Sequence, residues 1–593
     1  LEIILIDERS DSTRSLIKDG NGYFSVMVSN VGAGQRYFFR VDSDPRHYPD
    51  PGSRYQPEGV HGPSQVVDGR RFGWTDQHWP GVKLPGQVIY ELHIGTWTAE
   101  GTWAAAAKKL SHLEDMGVTL VEVMPVADFA GEFGWGYDGV CWYAPTRLYG
   151  SPDDFRYFVN EAHRLGIGVL LDVVYNHFGP SGNYTGVFSP YYLSKRHPTE
   201  WGEAINFDGE SAEAVREFVT ANAAYWIREF HLDGLRLDAV HALVDDSQEH
   251  IVTALGKAAR QAAGNRSILL FAEDEFQRVE HVATCDQGGY GLDGVWNDDF
   301  HHACRVAATG HAEFYYADYA GSPQELISAV RYGYLYQGQW NARQEKLRGT
   351  PALTTPAAHF VNALQNHDQI ANSPGGMRGH QLTSPGRWRA LTTLQLLAPG
   401  TPLLFMGQEW LSSVPFHYFA DHEVELARLV REGRWNFLRM FPRIAGGAEI
   451  EPLTDPSARE AFETSKLDWV NCARHSRAIA LHRDLLRLRR EDTVFSRQDA
   501  TMIHGAVIGT EAFLLRWLEG EGDDRLMLVN LGRDLNLRPV AQPLLAARRG
   551  CQWTTLFCSE SPAYGGVGVA AFQSQDLIVP GHTALVFRAD PVA

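Results

Sequence analysis

The stretch LDGLRLDAV (232–240) constrains this chain more than any other. Arg236 and Asp238 stand two positions apart, so on a strand both side chains point to one face. Around them Gly234, Leu235, Leu237 and Val240 form the nearly unbroken apolar run of a strand buried in a parallel sheet. A guanidinium and a carboxylate in such a run lose their hydration and persist only when paired with each other or with a ligand. A structural ion pair would explain one such run. Three others end the same way: LLDVVYNH (170–177), ILLFAEDE (268–275) and VNALQNHDQ (361–369). Four strands with ionisable groups at their C-terminal ends describe the working face of a (β/α)8 barrel.

The rest of the chain supplies the other strands. From residue 87 strand-like and helix-like segments alternate, as in a parallel α/β sheet. QVIYELHI (87–94) is the first strand and TLVEVMPV (119–126) the second, separated by the apolar stripe Trp103, Ala107, Leu110 and Leu113. Ser151-Pro152 marks a helix start, leading to strand three at 168–175. A helix over 211–230 feeds strand four. Strands five to eight are expected at 268–273, 294–296, 360–366 and 401–407. Residues 1–75 carry short alternating runs (23–29 and 36–42) and predict an N-terminal β-sandwich. Residues 45–86 are rich in Pro and Gly and read as an ordered linker. A basic helix over 471–490 closes the barrel region, and runs at 513–518, 525–531 and 583–588 predict a C-terminal antiparallel β domain. The expected domains are therefore 1–75, 76–495 and 496–593.

Composition mainly excludes. At 593 residues more than one domain is expected. A net charge of −19 argues against nucleic acid or an anionic membrane as partner, and no apolar run is long enough to span a bilayer. Six cysteines in so long a chain do not form a disulfide framework, and a reducing cytoplasmic setting is expected. Cys551 and Cys558 could meet across a hairpin, although two thiols are the expected state. No cofactor or metal is expected: phosphate-binding and dinucleotide fingerprints are absent, as is the usual His or Cys spacing of a metal site. His301 and His302, if on a strand, would point to opposite faces.

Asp238 and Glu273 fall at the ends of adjacent strands. Neighbouring strands lie about 4.8 Å apart, so two carboxyls there can approach the ~5–5.5 Å separation of retaining glycosidases. Arg236 on the face of Asp238 would keep that carboxylate ionised and nucleophilic. Glu273 follows Phe271 and Ala272, and desolvation there would raise its pKa and suit it to be the acid. Asp368, near the end of strand seven, could favour a positively charged sugar ring. His177 and His367 can donate to sugar oxygens. Asp172 is expected to hold the mouth loops through hydrogen bonds.

These four strand ends resemble the signature regions of the α-amylase superfamily of glycoside hydrolases: DVVYNH (172–177), GLRLDAVH (234–241), Glu273 of FAED, and NHD (366–368). The resemblance implies Asp238 as nucleophile, Glu273 as acid/base and Asp368 as transition-state stabiliser. It places Arg236, His177, His241 and His367 around the reacting sugar. A narrower resemblance lies in the loops YELHIGTWTAEGTW (90–103), GWGYDGV (134–140), GPSGNYTG (179–186), WGEAINFDG (201–209), WNDDFHH (296–302) and PFHYFADH (415–422). These are similar to the maltooligosyltrehalose trehalohydrolase family, which cuts the α-1,4 bond next to a terminal trehalose. That match implies maltooligosyltrehalose or a related α-glucan as substrate, with Tyr137 stacked on the reacting ring and Asp138 beside it. The chain departs from the family's usual pattern at Ser373 and Gln408. Branching enzymes share GWGYDGV, but usually carry serine where this chain has Asn366; debranching enzymes lack the 296–302 and 415–422 loops. A non-catalytic sugar-binding barrel would be expected to have lost one of the three acids, and all three are present.

Overall fold

Eight parallel strands close into a barrel in simple sequence order: β1 Ile89–Leu92, β2 Leu120–Val123, β3 Gly168–Val173, β4 Gly234–Leu237, β5 Leu269–Ala272, β6 Gly294–Trp296, β7 Phe360–Ala363 and β8 Thr401–Phe405. β8 pairs with β1 and completes the ring. The structure is a computed structural model and describes residues 1–592 apart from 8–9, 200–201, 443, 445–453, 520–522, 538–540 and 569–576. Trp201 of the 201–209 motif lies outside the described residues. All eight strands expected from the apolar runs are present.

The period-two alternation of strands explains where the chemistry sits. Ile89, Leu120, Leu170 and Leu269 fill the barrel interior. Two residues further along the first four strands, at the same face, come Glu91, Glu122, Asp172 and Arg236, each buried. An apolar plug is thus capped by a charged layer just below the strand ends. β4 can enter this crowded ring only through glycine. Gly234 has φ +153°, and a Cβ there would stand 1.7 Å from the Leu269 carbonyl oxygen.

Outside the strands the helices obey local rules. Ser151 and Asp154 form a reciprocal capping box at the start of the helix Pro152–Arg164, whose Phe155, Phe158, Val159 and Ala162 are fully buried. The N-terminal segment forms a four-stranded antiparallel sheet in the order Ser12–Ser15, Glu2–Ile6, Arg36–Arg40, Ser64–Gln65. Beside it is a ribbon of Ile17–Lys18 and Phe24–Ser25. The C-terminal segment forms a five-stranded antiparallel sheet in the order Ile503–Gly509, Ala512–Trp517, Arg525–Asn530, Thr583–Pro591, Cys551–Cys558. Cys551 and Cys558 therefore occupy opposite ends of one strand, not two arms of a hairpin; at about 3.3 Å per residue they cannot meet. His301 and His302 lie on the helix Asp298–Thr309 instead of a strand, because Asn297 caps its N-terminus by accepting from Phe300 N–H. Among the described residues no helix is long and apolar enough to cross a membrane.

Candidate active site

The site grows from Arg236. β4 and β5 pair in register, Arg236 beside Phe271 and Leu237 beside Ala272, so the next residues, Asp238 and Glu273, emerge side by side. Arg236 is buried, and its Nη1 donates to Asp238 Oδ1 at 2.7 Å and to both oxygens of Asp172 at 2.8 and 2.9 Å. Its Nη2 stands 3.4 Å from Glu273 Oε2. The guanidinium also lies 4.4 Å over the Trp296 ring. One cation thus touches three carboxylates, the geometry that lets a buried arginine persist.

Each acid has a different surrounding. Asp238 accepts from Asn176 Nδ2 at 2.9 Å in addition to Arg236, so its second oxygen is oriented by an amide. Glu273 Oε2 accepts from the Ala239 backbone N–H at 2.7 Å. Ala239 reaches it from a left-handed conformation, φ 41° and ψ 53°, a strained backbone of the kind found at working sites. Burial pushes the Glu273 carboxyl up to about 7, with Arg236 pulling the other way. Burial likewise raises Asp172 to about 6 against the pull of Arg236. Asp368 does not end β7 directly. Asn366 accepts from Gln369 N–H and starts a short helix, His367–Ala371, whose first turn carries Asp368 with about half its side chain exposed to the mouth.

The histidines and Tyr137 complete the ring. His367 is buried, with Nδ1 bonded to Glu91 and Nε2 at 3.0 Å from the Tyr137 hydroxyl and 3.4 Å from Asp368 Oδ2. Burial alone would lower its pKa, but Asp368 and Glu91 outweigh it and raise it to about 9. The Tyr137 hydroxyl donates to Asp172 Oδ2 at 2.7 Å, and its ring stacks on His367 at 5.3 Å. His177 is buried against Asn176, and burial lowers its pKa. Asp138 lies 3.5 Å from His422 Nε2, which joins the 134–140 and 415–422 loops. His241 sits on the rim, 3.8 Å from Asp274 and 5.2 Å from the Phe276 ring.

The structure brings Asp238, Glu273, Asp368, Arg236, His367 and Tyr137 into one connected cluster, and His177 reaches it through Asn176. Asp138 and His241 stand at its edge. Sequence reading treated Asp172 as a holder of loops; here it grips Arg236 and Tyr137 directly. Asn176, Glu91 and Glu122 were not singled out. The signal for the two glutamates was available, since each interrupts an apolar strand as Arg236 does. Among the described residues, His197, Asp208 and Asp246 bring three candidate metal-ligand atoms within 4.8 Å. Arg196 occupies the same space, 3.5 Å from Asp208 and 3.8 Å from Asp246, and already balances their charge.

With this geometry in view, the relatives are informative. A family model described as alpha amylase, catalytic domain, matches residues 63–191, and a domain of unknown function matches residues 502–586. The chain is 44% identical over 538 residues to the malto-oligosyltrehalose trehalohydrolase of Deinococcus radiodurans, covering 89% of this chain and 86% of the relative. It is 40% identical to the enzyme of the same name from Saccharolobus solfataricus, covering 80% and 81%. Among solved structures, a Salmonella typhimurium protein assigned as an alpha amylase superposes with a TM-score of 0.86 at 35% identity, over 99% of this chain and 96% of that one.

Proposed function

This chain belongs to the malto-oligosyltrehalose trehalohydrolase family, and from that membership we infer a retaining glycoside hydrolase. It cleaves the α-1,4-glucosidic bond next to the terminal trehalose of a maltooligosyltrehalose and releases trehalose and a maltooligosaccharide. The observation that carries the chemistry is the single guanidinium of Arg236 within 3.4 Å of both Asp238 and Glu273. It supports two neighbouring carboxyls on adjacent strands, the arrangement that a covalent glycosyl intermediate requires.

In this reading Asp238, paired with Arg236 and hydrogen-bonded by Asn176, attacks the anomeric carbon. Glu273, with its pKa near 7, holds a proton over part of the neutral range and gives it to the departing oxygen of trehalose. The same group, now a base, takes a proton from the water that releases the glycosyl chain. Asp368, open to the mouth, faces the ring while it carries positive charge. Tyr137, His177 and His367 hold the sugar, and Asp138 and His241 line the approach. A cytoplasmic setting belongs to the same reading, supported by the sparse, scattered cysteines.

The test is product analysis on two matched substrates, maltohexaose and a maltooligosaccharide ending in trehalose. Rapid free trehalose from the second with slow cleavage of the first is expected. Chain lengthening or new α-1,6 linkages without trehalose would instead assign a glucan-branching transferase.

A further inference from the structure

The proton positions around His367 follow from the hydrogen bonds. The Tyr137 hydroxyl has one proton and gives it to Asp172. Its oxygen can therefore only accept from His367, so Nε2 of His367 carries a proton. Glu91 accepts on the other side, from Nδ1 and also from the His367 backbone N–H at 3.3 Å, so Nδ1 carries a proton as well. Both ring nitrogens are donors and the ring is an imidazolium, in keeping with its raised pKa.

Glu91 is buried on β1 directly beside Glu122 on β2. Glu122 has no hydrogen-bond partner on either oxygen, and burial, reinforced by the Glu91 charge, raises its pKa well above the ordinary value. Burial and the neighbouring Glu91 thus favour the neutral form of Glu122, while Glu91 is the carboxylate that faces His367.

We propose that Glu91 is a positioning residue: by gripping His367 at Nδ1 and at the backbone it fixes the ring with Nε2 turned toward Tyr137, Asp368 and the reacting sugar. Glu91 lies below the sugar site and acts through His367. A carboxylate behind a histidine sets its tautomer and orientation in the same way in many sites. The groups facing His367 are Glu91 from β1, His93 just after it, Glu122 from β2, Asp172 from β3, Arg236 from β4, Tyr137 from the loop after β2, and Asp368 on its own helix. Of these, Glu91 and Asp368 are the anions that hold the ring charged, and only Glu91 touches Nδ1.

The proposal rests on the functional reading above, and its test separates the two. Glu91→Gln keeps an acceptor for Nδ1 but removes the charge. It should lower kcat by about 10–100-fold, the range seen when a partner orienting a histidine is lost, with KM changed by less than about threefold. An NMR titration of the His367 imidazole should show it losing its proton at lower pH than in the wild type, because the Glu91 charge that holds it is gone. Glu122→Gln, the same change on a carboxyl already neutral, should leave both quantities near wild type. Melting curves on all three proteins establish that the fraction folded is equal. A Glu91→Gln enzyme with wild-type kcat and an unmoved His367 titration overturns the assignment, as would a Glu122→Gln enzyme with the same loss. Release of no trehalose by the wild type would count against the functional reading alone, since the ratio of Glu91→Gln to wild type can still be measured on maltohexaose.

Discussion

β4 carries a buried carboxylate network at each end, and the two differ in one respect. At the barrel bottom Asp233 precedes the strand. It accepts from Trp79 Nε1 at 2.7 Å, from Val169 N–H at 2.9 Å and from His163 Nε2 at 2.8 Å. His163 in turn bonds Asp76 at 2.9 Å, and Asp76 takes a second imidazole from His231 at 2.8 Å. Every one of these bonds closes on protein. At the mouth Arg236, Asp238 and Glu273 are equally crowded, yet Glu273 and Asp368 keep carboxyl surface open above the ring. The same cost of desolvation is met at the bottom by saturation and at the mouth only in part. Incomplete satisfaction, not the presence of buried charge, is what marks the working end.

If that distinction is right, removing a charge at the mouth should cost rate and little stability. The largest effect is expected from Asp238→Asn, which keeps the shape of the side chain while abolishing the nucleophile. Turnover should fall by about 10³-fold or more, the order found when a catalytic nucleophile is removed. Sugar binding by calorimetry and the melting temperature should stay close to wild type. Near wild-type turnover would remove Asp238 from the role assigned to it.

Glu273→Gln should come next. A general acid contributes about 10²–10⁴-fold, and its loss is felt only where the leaving group needs a proton. On a maltooligosyltrehalose the rate should drop within that range, while a glucosyl fluoride, whose leaving group needs little help, should lose far less. Equal losses on both substrates would mean that Glu273 does something other than protonate. The wild-type alkaline limb should fall near pH 7, where the Glu273 carboxyl gives up its proton.

How much of this was legible in the sequence depends on how local the signal is. The eight strands and the acids Asp238, Glu273 and Asp368 were readable because a charge in an apolar run violates a local rule. Glu91 and Glu122 violate the same rule, but their runs end without a catalytic-looking cluster, and only the barrel shows that they share a layer with Arg236. Asn176 sits beside the more conspicuous His177, and its bond to Asp238 depends on the register of β3 and β4. The φ of Ala239 has no signature at all, since alanine carries no preference for the left-handed region. Least readable was the bottom clamp. Asp76 lies in a segment without periodicity, and nothing near it in sequence announces His163 or Asp233.

That clamp gives the smallest expected effect and the sharpest check on the comparison, because here charge should act on stability alone. Burial opposes the charge on Asp76, but hydrogen bonds from His163 and His231 outweigh it and hold its pKa below the ordinary value. For His163 burial also opposes charge, and Asp233 and Asp76 outweigh it and raise its pKa. A raised histidine contributes stability in full below its unfolded pKa, about 6.5, and loses it as pH rises through the folded value. A depressed aspartate contributes above its unfolded pKa, about 3.9, and loses it as pH falls through the folded value. The two windows overlap between about pH 4 and 6.5, where the clamp should be strongest. Breaking a buried pair by removing one partner costs about 3–5 kcal/mol, so Asp76→Asn should lower the melting temperature by several degrees. The gap from wild type should be widest near pH 5–6 and narrow as pH rises through the raised pKa of His163, while kcat at 25 °C stays unchanged because the mutation sits at the far end of the barrel. A gap that is flat across this range would mean that the clamp works by shape and neutral hydrogen bonding. A fall in kcat with the fold intact would mean that the two ends of β4 are coupled, and the contrast between a saturated bottom and an open mouth would have to be given up.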